Sequence, residues 1–217
     1  MKSDEQLKKD VEAELEWDPA VDAAHVSVAV KDGMVTLAGH LDTFMEKHVA
    51  ERAVLRVGGV RAIAQEVDVR LASGHTRADA DIAQAIETAF GWHSLVPAHQ
   101  IQVHVNEGWV TLTGNVTWDY QRRMAEQMVR PITGVVGVSN RISLQFLATP
   151  DNITARLQKA LARQAEREAR HIEVSVDGST VTLRGQVHSW AEHNAAQGAA
   201  WSAPGVTKVN NELRVVH

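Results

Sequence analysis

Three stretches of this chain, Leu7–Val69, Ile82–Leu144 and Ile153–Val215, align with one another without a gap. Val35-Thr36-Leu37-Ala38-Gly39 recurs as Val110-Thr111-Leu112-Thr113-Gly114 and as Val181-Thr182-Leu183-Arg184-Gly185. Gly59-Val60 recurs as Gly134-Val135 and Gly205-Val206, at the same glycine-to-glycine interval. A repeat of this length held so strictly means three copies of one structural unit. Function must therefore suit a module used in triplicate, not one catalytic cleft spread over the chain.

Each copy opens with an apolar stripe at i, i+4, i+8: Leu7, Val11, Leu15; then Ile82, Ile86, Phe90; then Ile153, Leu157, Leu161. That spacing predicts an amphipathic helix. Ser3 with Gln6 has the pattern of a capping box, and Thr149 before Pro150 places an N-cap ahead of a proline at the first helical position. Strict alternation follows in Val26-Val28-Val30, Ile101-Val103-Val105 and Ile172-Val174-Val176, as in a strand buried on one side.

Asp32-Gly33 and Glu107-Gly108 predict a tight turn with the glycine at positive φ, leading into a second strand. Copy three moves this signal by one residue, to Asp177-Gly178, which predicts a different turn type. Gly39, Gly114 and Gly185 fall inside the second strand, where glycine marks a bulge or a close backbone approach. A second helix follows, with Ala50, Ala125 and Ala196 in register and small enough to sit near the sheet. Gly59, Gly134 and Gly205 are expected just past its C-cap. A third strand closes the unit. The fold class is α+β: three tandem αββαβ units, each a small mixed sheet covered on one face by two helices. Their expected bounds are 1–72, 77–147 and 149–217.

The run Val-Thr-Leu-x-Gly, an alanine in a charged helix, and then Gly-Val-x-x-Val-x-Asn-x-Leu resembles the BON domain of bacterial osmotically induced and nodulation-associated proteins. All three copies match, and copy three carries the fullest version, from Asp177 through Ser189-Trp190-Ala191-Glu192 to Ala203-Pro204-Gly205-Val206. Copy one departs at Gln65, where the others have Asn140 and Asn211. The chain is similar to triple-BON, transport-associated proteins. That resemblance implies no catalytic centre, no cofactor, and a stress- or envelope-associated role that includes phospholipid binding.

Composition narrows the remaining chemistry. Without cysteine, thiol catalysis, disulfides and thiolate metal sites are excluded. Net charge runs −5, −1 and +1 over 1–71, 72–148 and 149–217. Arg163, Arg167 and Arg170 are interleaved with Glu166 and Glu168, which makes a solvated helix face and not the basic footprint of a nucleic-acid binder. No signal peptide or apolar run of about 20 residues is present, so the chain reads as cytoplasmic with no transmembrane segment.

Eleven histidines include the pairs His40/His48, His93/His99 and His188/His193, none with the i, i+4 spacing of a helical metal site, so no metal is expected. No Gly-x-Ser-x-Gly elbow is present. Gly58-Gly59 and Gly134/Gly137 end helices instead of beginning them, which does not suit phosphate binding. The chain is read as non-enzymatic.

Six tryptophans beside one tyrosine and three phenylalanines are the stronger signal. Trp17 and Trp92 share a place just beyond the first helix. Trp190 is matched with Phe44 and Tyr120 as an aromatic that opens the second helix and plugs the core. Trp201 is matched with Leu55 as core. Trp109 alternates with Val110 and Leu112, which puts it on the sheet face opposite the helices. Trp92, Trp109 and Trp118 are the candidate lipid or partner contacts. The expected partner is phospholipid; the alternative is a protein-interaction or self-assembling scaffold.

Overall fold

The computed structural model describes residues 2–145 and 172–216. Copy one contains α1 (Asp4–Trp17), β1 (Val26–Lys31), β2 (Met34–Leu41), α2 (Phe44–Arg56) and β3 (Ala62–Val69). Copy two repeats the order with α3 (Asp79–Gly91), β4 (Ile101–Asn106), β5 (Trp109–Val116), α4 (Asp119–Val129) and β6 (Gly137–Leu144). In copy three the described elements are β7 (Ile172–Asp177), β8 (Thr180–Val187), α5 (Trp190–Trp201) and β9 (Lys208–Val215). The third amphipathic stripe, the Thr149-Pro150 start and the Arg163/Arg167/Arg170 face lie outside the described residues. Two compact units divide the chain, Met1–Thr113 with Met124–Arg141 and Gly114–Arg123 with Ile142–His217.

Each sheet has three strands in sequence order. In copy one β1 pairs antiparallel with β2 (Val28↔Leu37), and β2 pairs parallel with β3 (Leu37↔Gln65). Copy three has the same mixed pairing, Val174↔Leu183 and Leu183↔Asn211. A hairpin joins the first pair; the parallel pair needs a long crossover, which the second helix supplies. Leu7, Val11 and Leu15 of α1 and Ala50, Ala53 and Val54 of α2 bury against Val28, Val35, Leu37 and Val67. The alanines let α2 lie close to the strands.

Helix starts follow the local chemistry. Ser3 Oγ accepts from Gln6 N at 3.2 Å, but the Gln6 amide donates onward to Asp10 at 2.8 Å, so only half of the box forms. Thr43 and Glu46 make both halves at the start of α2, each at 3.1 Å.

The hairpins divide into two kinds. Asp32 (φ 51°) and Gly33 (φ 75°) both adopt positive φ, as do Glu107 (50°) and Gly108 (75°), which defines type I′ turns. Gly33 and Gly108 take the positive φ expected of them, and the residue before each takes it as well. In copy three only Gly178 (φ 54°) of the two turn residues is positive, the pattern of a type II′ turn.

Gly39, Gly114 and Gly185 lie in strands β2, β5 and β8 with φ of 128°, 132° and 130°. A Cβ on Gly39 would overlap the carbonyl oxygen of His25, so the glycine permits a close backbone approach. Gly59, Gly134 and Gly205 are not C′ residues. α2 has its C-cap at Val57 and α5 at Ser202, while Gly59 and Gly205 sit further on. Each is the third residue of a turn closed by Val60 N to Val57 O, Val135 N to Ile132 O or Val206 N to Ala203 O. Positive φ at that position, with Pro204 before Gly205, is the type II pattern.

Candidate functional site

The position of Trp17 follows from helix geometry. It stands two residues beyond the buried Leu15, which is about 200° around a helix of 3.6 residues per turn, and so points away from the core. Trp92 stands in the same relation to the buried Phe90. The two side chains are 83% and 87% exposed. Copies one and two therefore each present a whole indole to solvent from the same corner.

The surroundings of Trp17 are acidic. Arg56 Nε contacts Glu14 at 2.8 Å, and its Nη2 contacts Asp18 at 3.0 Å. The hydrogen bond from Arg56, followed by that from Ala20 N, holds the Asp18 carboxyl below its usual range.

Trp109 is turned to the open face of its sheet, but half of it is covered. Its ring lies against Gly137 so closely that a Cβ there would overlap it, and Nε1 donates to Ser139 Oγ at 3.0 Å. Gly137 therefore opens strand β6 and makes room for the indole; it does not terminate a helix. The same face of copy three carries a charge pair, Arg184 Nε to Glu212 at 2.8 Å.

Trp118 occupies the place of the capping residues Thr43 and Ser189. It cannot cap through its side chain, yet Gln121 Oε1 accepts from Thr117 N at 3.1 Å and Trp118 N at 3.0 Å, preserving the other half of the box. Its indole is half-buried. Trp92 is thus the most accessible of the three tryptophans singled out from sequence.

The aromatic expected to plug the core at the start of the second helix does not do so. The gapless register places Asp119, not Tyr120, at the position of Phe44 and Trp190. Phe44 and Trp190 are half-buried, and Tyr120 is 43% exposed. Asp119 is only 2% exposed. It pairs with Arg122 through Oδ1, and Arg123 Nε lies 2.8 Å from Oδ2 without hydrogen-bond geometry. Arg122 also stands over the Trp201 ring, 4.9 Å from its centroid. Trp201 is accordingly half-buried at the core edge and not a central core residue.

A cavity of about 250 Å³ is lined by Thr43, Phe44 and Met45 on one side and by Arg130, Pro131 and Ile132 on the other. It falls below the roughly 300–1,000 Å³ of ligand clefts, so it reads as a packing gap at a junction. At its edge Arg130 Nη1 lies 2.6 Å from His48 Nε2, and Arg130 Nη2 donates to Glu126 at 2.5 Å. A guanidinium only donates, so His48 Nε2 must be an acceptor there, with its proton on Nδ1. The His48 imidazole, whose Nδ1 lies 3.8 Å from Glu51 Oε2, holds the Glu51 carboxyl below its usual range, with smaller help from Arg130.

His25 and His40 stack, with ring centroids 4.6 Å apart. Among the described residues no group of three metal-ligating side chains converges, and no helix is long and apolar enough to cross a membrane.

Repeated αββαβ units whose exposed features are aromatic corners define a class of tandem small-domain proteins. The BON domain profile matches at residues 3–70, 78–145 and 149–217, so the chain belongs to the BON domain family. It is similar to osmotically-inducible protein Y of Escherichia coli K12, at 26% identity over 149 residues, 65% of this chain and 74% of that protein. Among solved structures it aligns with the C-terminal domain of CdsD, a structural protein of the type III secretion system of Chlamydia trachomatis. That alignment has 14% identity over 96% of each chain and a TM-score of 0.25. The PrgH periplasmic domain aligns at 12% identity over 89% of this chain and 96% of that one, with a TM-score of 0.22. Scores this low carry no structural argument. The cytoplasmic placement expected from sequence gains no support from these relatives.

Proposed function

We propose that the three copies, spanning 1–72, 77–147 and 149–217, act in series as non-enzymatic binding domains, and that copies one and two contact phospholipid through Trp17 and Trp92. The observation that carries this reading is the near-complete exposure of tryptophan at one equivalent position in two copies. An indole has an apolar body and a polar tip suited to a lipid–water boundary. The acidic flank of Trp17 and the net charge of −5 favour neutral headgroups over an anionic leaflet. Two weak contacts on one chain gain from avidity. An osmotic-stress setting is carried over from the similarity to osmotically-inducible protein Y.

Co-sedimentation with phosphatidylcholine vesicles, at low and at physiological salt, tests it. Binding is expected to survive salt, to weaken with Trp92→Ala, and to disappear with Trp17→Ala added. Trp109→Ala and Trp118→Ala should leave it intact. Absence of binding, or binding indifferent to the double substitution, would overturn the reading.

A further inference from the structure

Copy one carries two imidazoles that only strand pairing brings together. Val26↔Gly39 is the outermost register pair of β1 and β2 at the end away from the hairpin, and one step further out His25 faces His40. Their rings stack with 4.6 Å between centroids and 13° between planes. An i, i+4 spacing finds pairs along one helix and is blind to a pair joined across two strands. The backbone beneath the rings is fixed. Asp22 N donates to Glu46 at 3.1 Å, and Asp22 Oδ1 accepts from Ala24 N at 3.1 Å, capping the 3-10 turn Ala23–His25. The His25 carbonyl then packs against Gly39, next to His40. Opposed residues of an antiparallel pair hold their Cβ atoms about 4.5–5.5 Å apart.

His40 is the register partner of Asp68 on β3, and Ala38 that of Glu66, so two carboxylates share the open sheet face with the imidazoles. His25 and both acids are exposed, and His40 is half-buried. Among the described residues no hydrogen bond or ion pair engages a nitrogen of either ring. Two imidazole nitrogens bound to one ion at about 2.0–2.1 Å each stand within about 4.2 Å of one another. From a stack of 4.6 Å, side-chain rotation that tilts the ring edges together reaches that distance. Neutral imidazole suits nickel, copper and zinc. The net charge of −5 over residues 1–71 favours a cation. The other copies lack the pair. Copy two has Gln100 and Asn115 at these places and Ser143 at that of Asp68. Copy three has a histidine only at the first place, His171, with Gln186 and Arg214 at the other two.

We propose that His25 and His40 chelate one late first-row divalent metal ion, of the nickel, copper or zinc kind, on the open sheet face of copy one. Water completes the coordination shell, and Asp68 and Glu66 supply negative charge beside it. The site belongs to copy one alone. Neither Trp17 nor Trp92 takes part, so the proposal stands apart from the lipid reading.

Imidazole proton–nitrogen correlation spectra of the full chain, recorded during a zinc titration at neutral pH, test it. The His25 and His40 resonances are expected to respond first and together, and to saturate at one zinc per chain. His25→Gln and His40→Asn install the residues that copy two already carries in the same fold. Each should weaken binding about tenfold or more, because the second imidazole binds intramolecularly and is lost. Zinc should also raise the melting temperature of the wild-type chain and leave that of the double variant unmoved. A pair that does not respond, or that responds only after other histidines, overturns the proposal. So does zinc affinity unchanged in both single variants, or a double variant stabilised by zinc as much as the wild type.

Discussion

The carboxylate of Asp79 accepts the backbone N–H of Gly108 at 2.9 Å, and that of Glu107 at 2.8 Å. Asp4 does the same for Gly33 and Asp32. These acids sit at the first position of helix one and hold a turn whose first residue is non-glycine at positive φ. Copy three has Pro150 at the equivalent sequence position and places Gly178 where that strain would fall. Asp79→Ala is expected to destabilise the protein by about 1–3 kcal/mol, the scale of charge-assisted backbone hydrogen bonds. Glu107→Gly in the same chain should recover part of that loss. Denaturant unfolding of the two single variants and the double variant checks both expectations.

Gly39 is expected to tolerate no side chain. Its φ of 128° and the nearby His25 carbonyl both oppose a Cβ. Gly39→Ala should cost about 3 kcal/mol or more, with Gly39→Val worse, because backbone strain and steric overlap add. The shift in the thermal unfolding midpoint reads the effect.

Asp119 is a buried charge whose relatives in the other copies are Phe44 and Trp190. Removing one arginine while the acid stays should be harmful: Arg122→Met is expected to cost about 1–3 kcal/mol, less than the loss of a sole partner because Arg123 remains. Replacing the acid with the aromatic of copy one, Asp119→Phe, should cost little or stabilise. Unfolding free energies that rank the two substitutions the other way would sink this account.

Glu51 gives stability a dependence on acid pH. Its folded-state value is lowered, chiefly by the neighbouring His48 imidazole, so its contribution is complete above the ordinary value of 4.5. That contribution is lost as pH falls through the lowered folded value. Glu51→Gln should therefore lower the melting temperature at neutral pH, where the contribution is complete, and converge with the wild-type chain at acid pH, which flattens the acid limb of a plot of melting temperature against pH. Because Glu51 is partly exposed, added salt should shrink the difference.

Much of the fold was legible because the copies share one register. Residues that recur three times average away the noise of any single segment, and the described helices, strands and strand-interior glycines fall where the periodicity places them. Three features escaped for distinct physical reasons. Trp109 reaches across to Gly137 and Ser139, and periodicity along a strand says which face a side chain takes, not how far it lies over the neighbouring strand. Asp119 is hidden behind Tyr120, one residue on, which satisfies the expectation of an aromatic; only the gapless register puts the acid at the place of Phe44 and Trp190. Gly59 suits a helix cap because glycine commonly follows a helix end, yet the chain runs on past the C-cap at Val57 before turning. At the candidate site the shared place of Trp17 and Trp92 was visible in sequence. Their exposure needed the angular step from Leu15 and Phe90.

The parallel pairing of β2 with β3 also governs the order of events as the chain leaves the ribosome. Copy one cannot complete its sheet until Val69 has emerged, since the last strand docks against the middle one only after α2 has crossed over. Synthesis proceeds from the N-terminus, and domains generally fold as units along the way. The β2 edge of copy one is therefore claimed by its own β3 before the homologous strand β6 exists. Tandem copies with interchangeable registers are prone to exchanging strands, and vectorial synthesis protects this chain where refolding from denaturant does not.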